Sequence, residues 1–421
     1  MSLTAGSLAN LIGFNNRSDI VLLDRQSAYS AHDLLLQAES CARLFADASG
    51  GRILVPTGNP AAAIIGLLAC KLAACVAVLW REDALPRDEL AELTGAKGLL
   101  EYDPATASGR VVELVTSRSG QSAPGDMIIP TSGSTGKPKG VALDLEQAVT
   151  NAALAGSCIE WDGIDAWSTD GDLSTISALS HVLMAWRYRK QLVHLKGLDW
   201  SAKQALFQRF RAGYGGAPLQ LREISQRLAQ TPPAVMVSSG DFLRPALAVA
   251  IQARLPRTLI HSMYGLTECA GRFCVLPHDV RRERPAAAGR PMPGFAATVM
   301  PDEQGGEGGE ICIRSPLLFY GYWRSREGFV ARRSGDFHTG DRGIVDESGH
   351  VTLLGRSNDV FKVGGEKVDR QTIETVLHDM MPDTELCVLP VPHDVFGLVP
   401  ALFIGAPGNG NLPSRADITA A

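Results

Sequence analysis

What this sequence lacks narrows its function before any motif is read. A formal net charge of -5 over 421 residues supplies no broad cationic field. That argues against nucleic acid and anionic membrane surfaces as partners and in favour of small-molecule chemistry. The eight cysteines are scattered. The close pairs Cys70/Cys75 and Cys269/Cys274 fit no zinc motif, and the set is expected to be reduced, mostly buried thiols of a cytoplasmic protein. Met1 to Asn16 lacks a basic segment followed by an apolar one, so no secretory signal is recognisable. The nearest thing to a membrane span, Pro60 to Trp80, carries Lys71 at its middle and many small residues, and reads as a buried helix running into a strand. Internal repeats and low-complexity runs are also absent.

What is present is apolar material in excess of one ordinary core: 45% of residues are hydrophobic, enough for one large multi-lobed domain or for two or three domains. From Ser30 to Tyr102 helical and strand patterns alternate, with helices at His32 to Ala46 and Pro86 to Thr94 and strands at Arg52 to Val55, Val76 to Leu79 and Gly98 to Leu100. This is the rhythm of an α/β layer with parallel strands. Helices are expected again at Ser201 to Ala212, Leu219 to Ala229 and Pro245 to Arg254, with strands at Ala234 to Val237 and Thr258 to His261 between them. After Pro285, glycine, proline and β-formers crowd together (Gly289-Arg-Pro-Met-Pro-Gly294, Gly321-Tyr-Trp323), as in a small β-rich subdomain. Beyond Arg356 a hairpin (Asp359 to Val368), a helix (Gln371 to Met380) and a strand (Glu385 to Val391) begin a separate α+β unit. The expected architecture is α/β: a large multi-lobed N-terminal domain of mixed and parallel sheets with helices over 1–356, with its β-rich subdomain at about 285–356. A partial α+β C-terminal domain follows over 357–421.

The sharpest local signal is Thr131-Ser-Gly-Ser-Thr-Gly-Lys-Pro-Lys-Gly140, between the apolar runs Met127 to Ile129 and Val141 to Leu143. Its glycines let backbone N–H groups turn in on an anion. The hydroxyls of Thr131, Ser132, Ser134 and Thr135 add donors, and Lys137 and Lys139 add charge, so the segment suits a polyphosphate. It is no Walker A loop, because Pro138 follows the lysine and forbids an ordinary helix start there. A flexible linker is the bland alternative, but ten such residues between two apolar strands argue against it. With Gly133 and Gly136 in their places, the segment resembles the phosphate-binding signature of the acyl-adenylate-forming enzymes. That superfamily includes acyl-CoA synthetases, aryl-acid ligases, luciferases and peptide-synthetase adenylation domains. Pro130 stands where an aromatic residue is usual.

Other segments resemble further signatures of that superfamily in the same order. Tyr264-Gly-Leu-Thr-Glu268 resembles the second, which implies that Tyr264 packs on adenine, Thr267 meets the α-phosphate and Glu268 holds Mg²⁺. Ser238-Ser-Gly-Asp241 resembles a turn lining the adenine and acyl pockets, so Ser239, Gly240 and Asp241 are nucleotide candidates. Asp241 capping the following helix is an equal reading. Thr339-Gly-Asp341 resembles the ribose clamp, and Arg356 would touch ribose or phosphate. Asn358 falls at the hinge of the small domain, where aspartate or lysine is commoner. Lys362 and Gly364-Gly365 resemble the strand that faces the site during thioester formation, with room for a pantetheine arm.

Two departures stand out. The histidine that often lines the acyl pocket is replaced by Thr175, and His181 is expected to face elsewhere. The catalytic lysine of a C-terminal Gly-Lys string has no counterpart after Val391, so the chain is read as ending before that segment, with truncation of a longer protein favoured over evolved loss. The resemblance implies ATP-dependent formation of acyl-AMP with pyrophosphate release, then transfer of the acyl group to coenzyme A. A carrier-protein phosphopantetheine is the alternative acceptor. A non-catalytic nucleotide- or acyl-binding protein is the alternative from another class. Acyl-pocket candidates are Thr175, Ile176, Tyr214, Gly216, Ser238, Asp241 and His261, a mixed set suited to a compact aromatic or short acid. Room is left for a homodimer.

Overall fold

The computed structural model describes residues 4–405 except 14–18, 26, 46–50, 118–122, 132–136, 302–307, 326, 357–359, 364–365, 382–385 and 394. Two large sheets carry the chain. In the eight-stranded sheet, Arg52–Pro56, Val76–Trp80, Gly98–Asp103 and Met127–Thr131 run parallel, and Lys139–Leu143 turns back antiparallel on Met127–Thr131. The thirteen-stranded sheet holds an unbroken parallel run through Leu259–Tyr264, Val235–Ser239, Ala212–Gly216, Ala166–Thr169, Gln191–His194 and Ile20–Leu23.

The glycine-rich stretch after Pro285 continues these sheets. Ala287–Pro291 pairs antiparallel with Cys274–Leu276 and with Val351–Arg356, so most of its strands extend the thirteen-stranded sheet. Gly321–Arg324 instead joins the eight-stranded sheet beside Lys139–Leu143. Beyond Arg356, Val360–Val363, Glu366–Asp369, Leu386–His393 and Gly397–Ile404 make a third sheet of four antiparallel strands. The helix Arg370–Met380 packs on it around Leu377, Met381 and Val388.

The apolar run at Pro60 is a core helix, Pro60–Leu72, followed by Val76–Trp80. Its start is set by Pro60 in the first turn and by the Asn59 side chain, which accepts the Ala62 N–H at 2.9 Å. A β-carbon on Gly66 would stand 2.7 Å from Val55 Cγ1, so glycine lets this helix lie close against its strand. Lys71 near its end is neutralised by Asp126. Among the described residues no helix is long and apolar enough to cross a membrane.

Both parallel runs end at the same place. Thr131, Thr169, Gly216, Ser239 and Tyr264 are each the last residue of a parallel strand. Carboxyl ends of parallel strands are where open α/β sheets leave a crevice.

Candidate active site

A cleft of about 740 Å³ opens at those strand ends. Thr131 and Lys139 from the edges of the phosphate-loop segment line it, as do Thr267 and Glu268 from the turn after Tyr264. Ser239, Gly240 and Arg356 line it too. A recess of about 390 Å³ adjoins it through Gly240, Gly265, Leu266 and Arg356, and is lined by Asp241, Tyr264 and Asp341. The arms of the phosphate-loop segment therefore share a cleft with Glu268, and Asp341 lies next door. Ser132, Gly133, Ser134, Thr135, Gly136, Asn358, Gly364 and Gly365 lie outside the described residues. Lys137 is solvent-exposed, and Lys362 lies on strand Val360–Val363, opposite Lys367.

At one end, Lys139 Nζ lies 2.8 Å from Glu268 Oε1. The Tyr322 hydroxyl donates to the same oxygen at 2.8 Å, and the ammonium rests 4.1 Å over the Tyr322 ring. Glu268 is only 7% exposed, so these two donors offset the cost of burying its charge. Burial, then the Glu268 charge and hydrogen bond, hold the Tyr322 hydroxyl far above its usual range. Tyr322 was not legible as a site residue; it sits in the Gly321-Tyr-Trp323 cluster, which reads only as β-rich chain. Tyr322→Phe should cost the fold about 1.5–3 kcal/mol, the worth of one hydrogen bond to a charged group. Denaturant unfolding checks this, and an unchanged stability would show that Tyr322 does not hold Glu268.

At the other end, Tyr264 donates its hydroxyl to Asp341 Oδ2 at 2.5 Å, and Arg356 Nε lies 3.0 Å from Asp341 Oδ1. Burial raises the Asp341 carboxyl above its ordinary value, against the lowering pull of Tyr264 and Arg356. Burial and the same carboxylate push the Tyr264 phenol well up.

The turn joining these ends is held from behind. Asn151, fully buried on helix Leu145–Gly156, donates to the carbonyls of Cys269 (3.0 Å) and Arg272 (2.7 Å) and accepts the Arg272 N–H at 2.8 Å. Gly265 is required for a different reason: a β-carbon there would lie 1.9 Å from the Gly271 carbonyl oxygen. Gly265→Ala should therefore force the two arms of the turn apart, displacing Glu268. We expect a loss of roughly 1–3 kcal/mol in denaturant unfolding, as for overpacking.

The acyl-pocket candidates divide. Thr175, Ile176 and Gly216 line the cleft. Tyr214, Ser238 and His261 do not; for Ser238 the reason is that successive side chains on a strand point to opposite faces. Ser239 takes the cleft face of Val235–Ser239 and leaves Ser238 buried on the other. Tyr214 is buried in the second core, with its hydroxyl 2.7 Å from Asp170. His261 is buried beside His278, and burial pulls its imidazole down to about 4. Asp241 accepts the Phe242 N–H and does not cap Pro245–Arg254, whose N-cap position is Arg244.

His181 corrects the expectation that it faces away. It lies in helix Ile176–Arg187, six residues beyond Thr175, yet lines the cleft with Nε2 2.9 Å from Ser239 Oγ. Helical periodicity explains why: a residue well down the helix still returns to the face turned toward the strand ends. Burial and the neighbouring Arg272 hold its imidazole neutral, far below the usual range. Arg272, unmarked in the sequence, also lines the cleft at 2% exposure.

The comparisons with known proteins agree with this geometry. Residues 96–323, more than half of the chain, match the model of the AMP-binding enzyme family. A malonate–CoA ligase of Arabidopsis thaliana is 29% identical over 304 residues, 64% of this chain and 49% of that protein. A 2-succinylbenzoate–CoA ligase of Bacillus cereus is 27% identical over 289 residues, 66% of this chain and 59% of that protein. The chain thus spans about half to three fifths of the length of these relatives. Among solved structures, o-succinylbenzoate CoA synthetase from Bacillus subtilis, in complex with the acyl-adenylate intermediate OSB-AMP, superposes with a TM-score of 0.81 at 20% identity, covering 97% of this chain and 89% of that one. ATP-bound MatB from Rhodopseudomonas palustris gives 0.79 at 22% identity, covering 99% and 91%. These likenesses establish a shared fold, and with the family match they place the chain plainly: it belongs to the AMP-binding enzyme family.

Proposed function

We propose that the chain activates a carboxylic acid with ATP as acyl-AMP, releasing pyrophosphate, and passes the acyl group to the thiol of coenzyme A. One observation carries this reading. The Lys139–Glu268 pair and the Tyr264–Asp341–Arg356 cluster occupy adjoining parts of one crevice, as binding of the phosphates and the sugar of one nucleotide would require. The names of the relatives, CoA ligases of malonate and 2-succinylbenzoate, support coenzyme A as acceptor.

Glu268 is a hard oxygen donor suited to Mg²⁺, with Oε2 not engaged by Lys139 or Tyr322. Among the described residues no group of three acidic, histidine or cysteine side chains could hold a metal alone. Glu268 would hold Mg²⁺, which would supply charge neutralisation for the polyphosphate. Lys139 and Thr131 bind the phosphates, and Asp341 accepts the ribose hydroxyls. The acid's carboxylate oxygen attacks the α-phosphorus, the bond to the bridging oxygen breaks, and pyrophosphate leaves. The chain supplies position and charge compensation. In the second half-reaction a thiolate adds to the acyl carbonyl and AMP departs. The four-stranded C-terminal unit, with its own small core, suits a domain that swings about Asn358 to present Gly364 and Gly365. The eight free thiols are in keeping with a cytoplasmic location.

The test is isotope exchange between pyrophosphate and ATP over a panel of acids, followed by thioester analysis with coenzyme A and with a phosphopantetheinylated carrier protein. Acid-dependent exchange and an acyl-CoA product are expected. ATP binding without exchange for any acid would overturn the reading in favour of a non-catalytic nucleotide-binding protein.

A further inference from the structure

The acyl side of the cleft holds a cation that the chemistry described so far does not use. Arg272 is buried, lines the cleft, and pairs with no carboxylate among the described residues. All its contacts are neutral: Nη1 donates to Ser177 Oγ at 3.2 Å, and Nη2 to the Ser177 carbonyl at 2.9 Å and Ser239 Oγ at 3.0 Å. Nη2 also lies 3.3 Å from His181 Nε2, and Nε has no partner. Burial and Arg272 lower the His181 imidazole well below its usual range, and Cys269 is a buried thiol pushed up to about 12, so neither supplies a counter-charge. A guanidinium cannot shed its proton to escape this cost, so a buried one without a counter-charge is an expensive arrangement.

A second feature adds to the same field. The first turn of the twelve-residue helix Ile176–Arg187 lines this wall through Ile176, Ser177 and Ala178, bringing the positive end of the helix dipole toward the space that Arg272 faces. The acidic groups nearby are already engaged, Glu268 by Lys139 and Asp172 by Lys196 at 2.6 Å. Among the described residues the acyl wall is therefore electropositive, with no unpaired anion beside Arg272.

Resting on the acid-activating reading above, we propose that Arg272 is a specificity residue. It makes the pocket select a compact acid that bears a second anionic group, a dicarboxylic acid in the simplest case. The second carboxylate seats on the guanidinium fork and the helix end while the first reacts at the nucleotide. A monoacid of the same size leaves the buried charge unpaired and forfeits that contact.

The experiment compares matched probes, glutarate with pentanoate and phthalate with benzoate, on the full chain and on Arg272→Lys and Arg272→Met. Acyl-adenylate is read by hydroxylamine trapping, which yields the hydroxamate and AMP, and acid binding is read separately by calorimetry in the presence of ATP. The wild-type chain should prefer the diacid of at least one pair by about 30-fold or more in kcat/KM, the scale of a buried charge contact. Arg272→Met should bring that ratio toward one through the diacid KM, and Arg272→Lys should keep part of it. A wild-type preference for the monoacids overturns the proposal even if both variants fail to fold. So does an equal loss for both acids in Arg272→Met, which would put the reacting carboxylate on Arg272. Diacid binding that depends on Arg272 but yields no hydroxamate would sink the acid-activating reading and leave the anion site standing. Absence of diacid binding to the wild-type chain would remove the site itself.

Discussion

Glu268→Gln should reduce acid-dependent pyrophosphate exchange by about two to three orders of magnitude, the scale seen when one preorganised charge-stabilising group is removed. The substitution keeps the shape of the side chain and its ability to accept from Tyr322, so the change isolates charge. Two consequences follow from the geometry. A phosphate-bound metal would lose an anionic ligand oxygen, and Lys139, whose side chain is only 24% exposed, loses its counter-charge. The second effect should cost stability as well, by about 1–3 kcal/mol; the pair is partly open to water, which keeps the figure below that of a fully buried ion pair. Exchange assays and denaturant unfolding separate the two. Near-normal exchange in Glu268→Gln would remove Glu268 from the chemistry.

Asp341→Ala should weaken ATP binding by about 100-fold, the worth of two charge-assisted hydrogen bonds to the ribose, with a smaller change in stability. Removing the carboxylate strands the Tyr264 hydroxyl in a buried site, but it also removes a charge that burial disfavours. The two terms offset one another in folding and not in binding. Acidification should mimic the mutation. Because burial raises the Asp341 pKa above its ordinary 3.8, the fold favours the neutral acid. Its contribution to folding is present at low pH and is lost as pH rises through the folded-state value. Nucleotide affinity runs the other way: only the ionised carboxylate accepts both hydroxyls, so affinity should fall with decreasing pH at a value above 3.8. Calorimetric titration of ATP across that range checks the sign. An affinity independent of Asp341 would dissolve the ribose assignment.

How much of this could be read beforehand depended on whether the signal was local. The helices and strands between Ser30 and Tyr102 were legible because periodicity and punctuation agree. Pro245–Arg254 begins at a proline in its first turn and matches the expected bounds, while Pro60–Leu72 is delimited by Asn59 and by the small residues after it. The glycine-rich loop, Tyr264 to Glu268 and Thr339 to Asp341 were legible because turns that approach phosphate and sugar need particular residues in sequence. Which side of a strand or helix a residue occupies was not. Ser238 and Ser239 are chemically identical neighbours, and only the pleat of Val235–Ser239 puts one on the cleft and the other behind it. His181 failed the reading in the opposite sense, since its distance from Thr175 along the chain says nothing about the helical face it shares with the pocket wall.

The pairing of Lys139 with Glu268 spans 129 residues, that of Tyr264 with Asp341 spans 77, and that of Arg272 with Ser177 spans 95. No short motif can encode a contact over such distances. The sequence by itself determined the chemistry on offer: a hydroxyl- and lysine-rich turn, acidic residues at fixed places in two further turns, and a composition suited to small substrates. The tertiary structure alone decided which of those groups meet. It did so by ending the strands of two sheets at one crevice, and by leaving a buried guanidinium on its acyl wall. Local chain geometry is set by neighbouring residues, whereas a binding site is set by the packing that brings distant ones within a few ångströms.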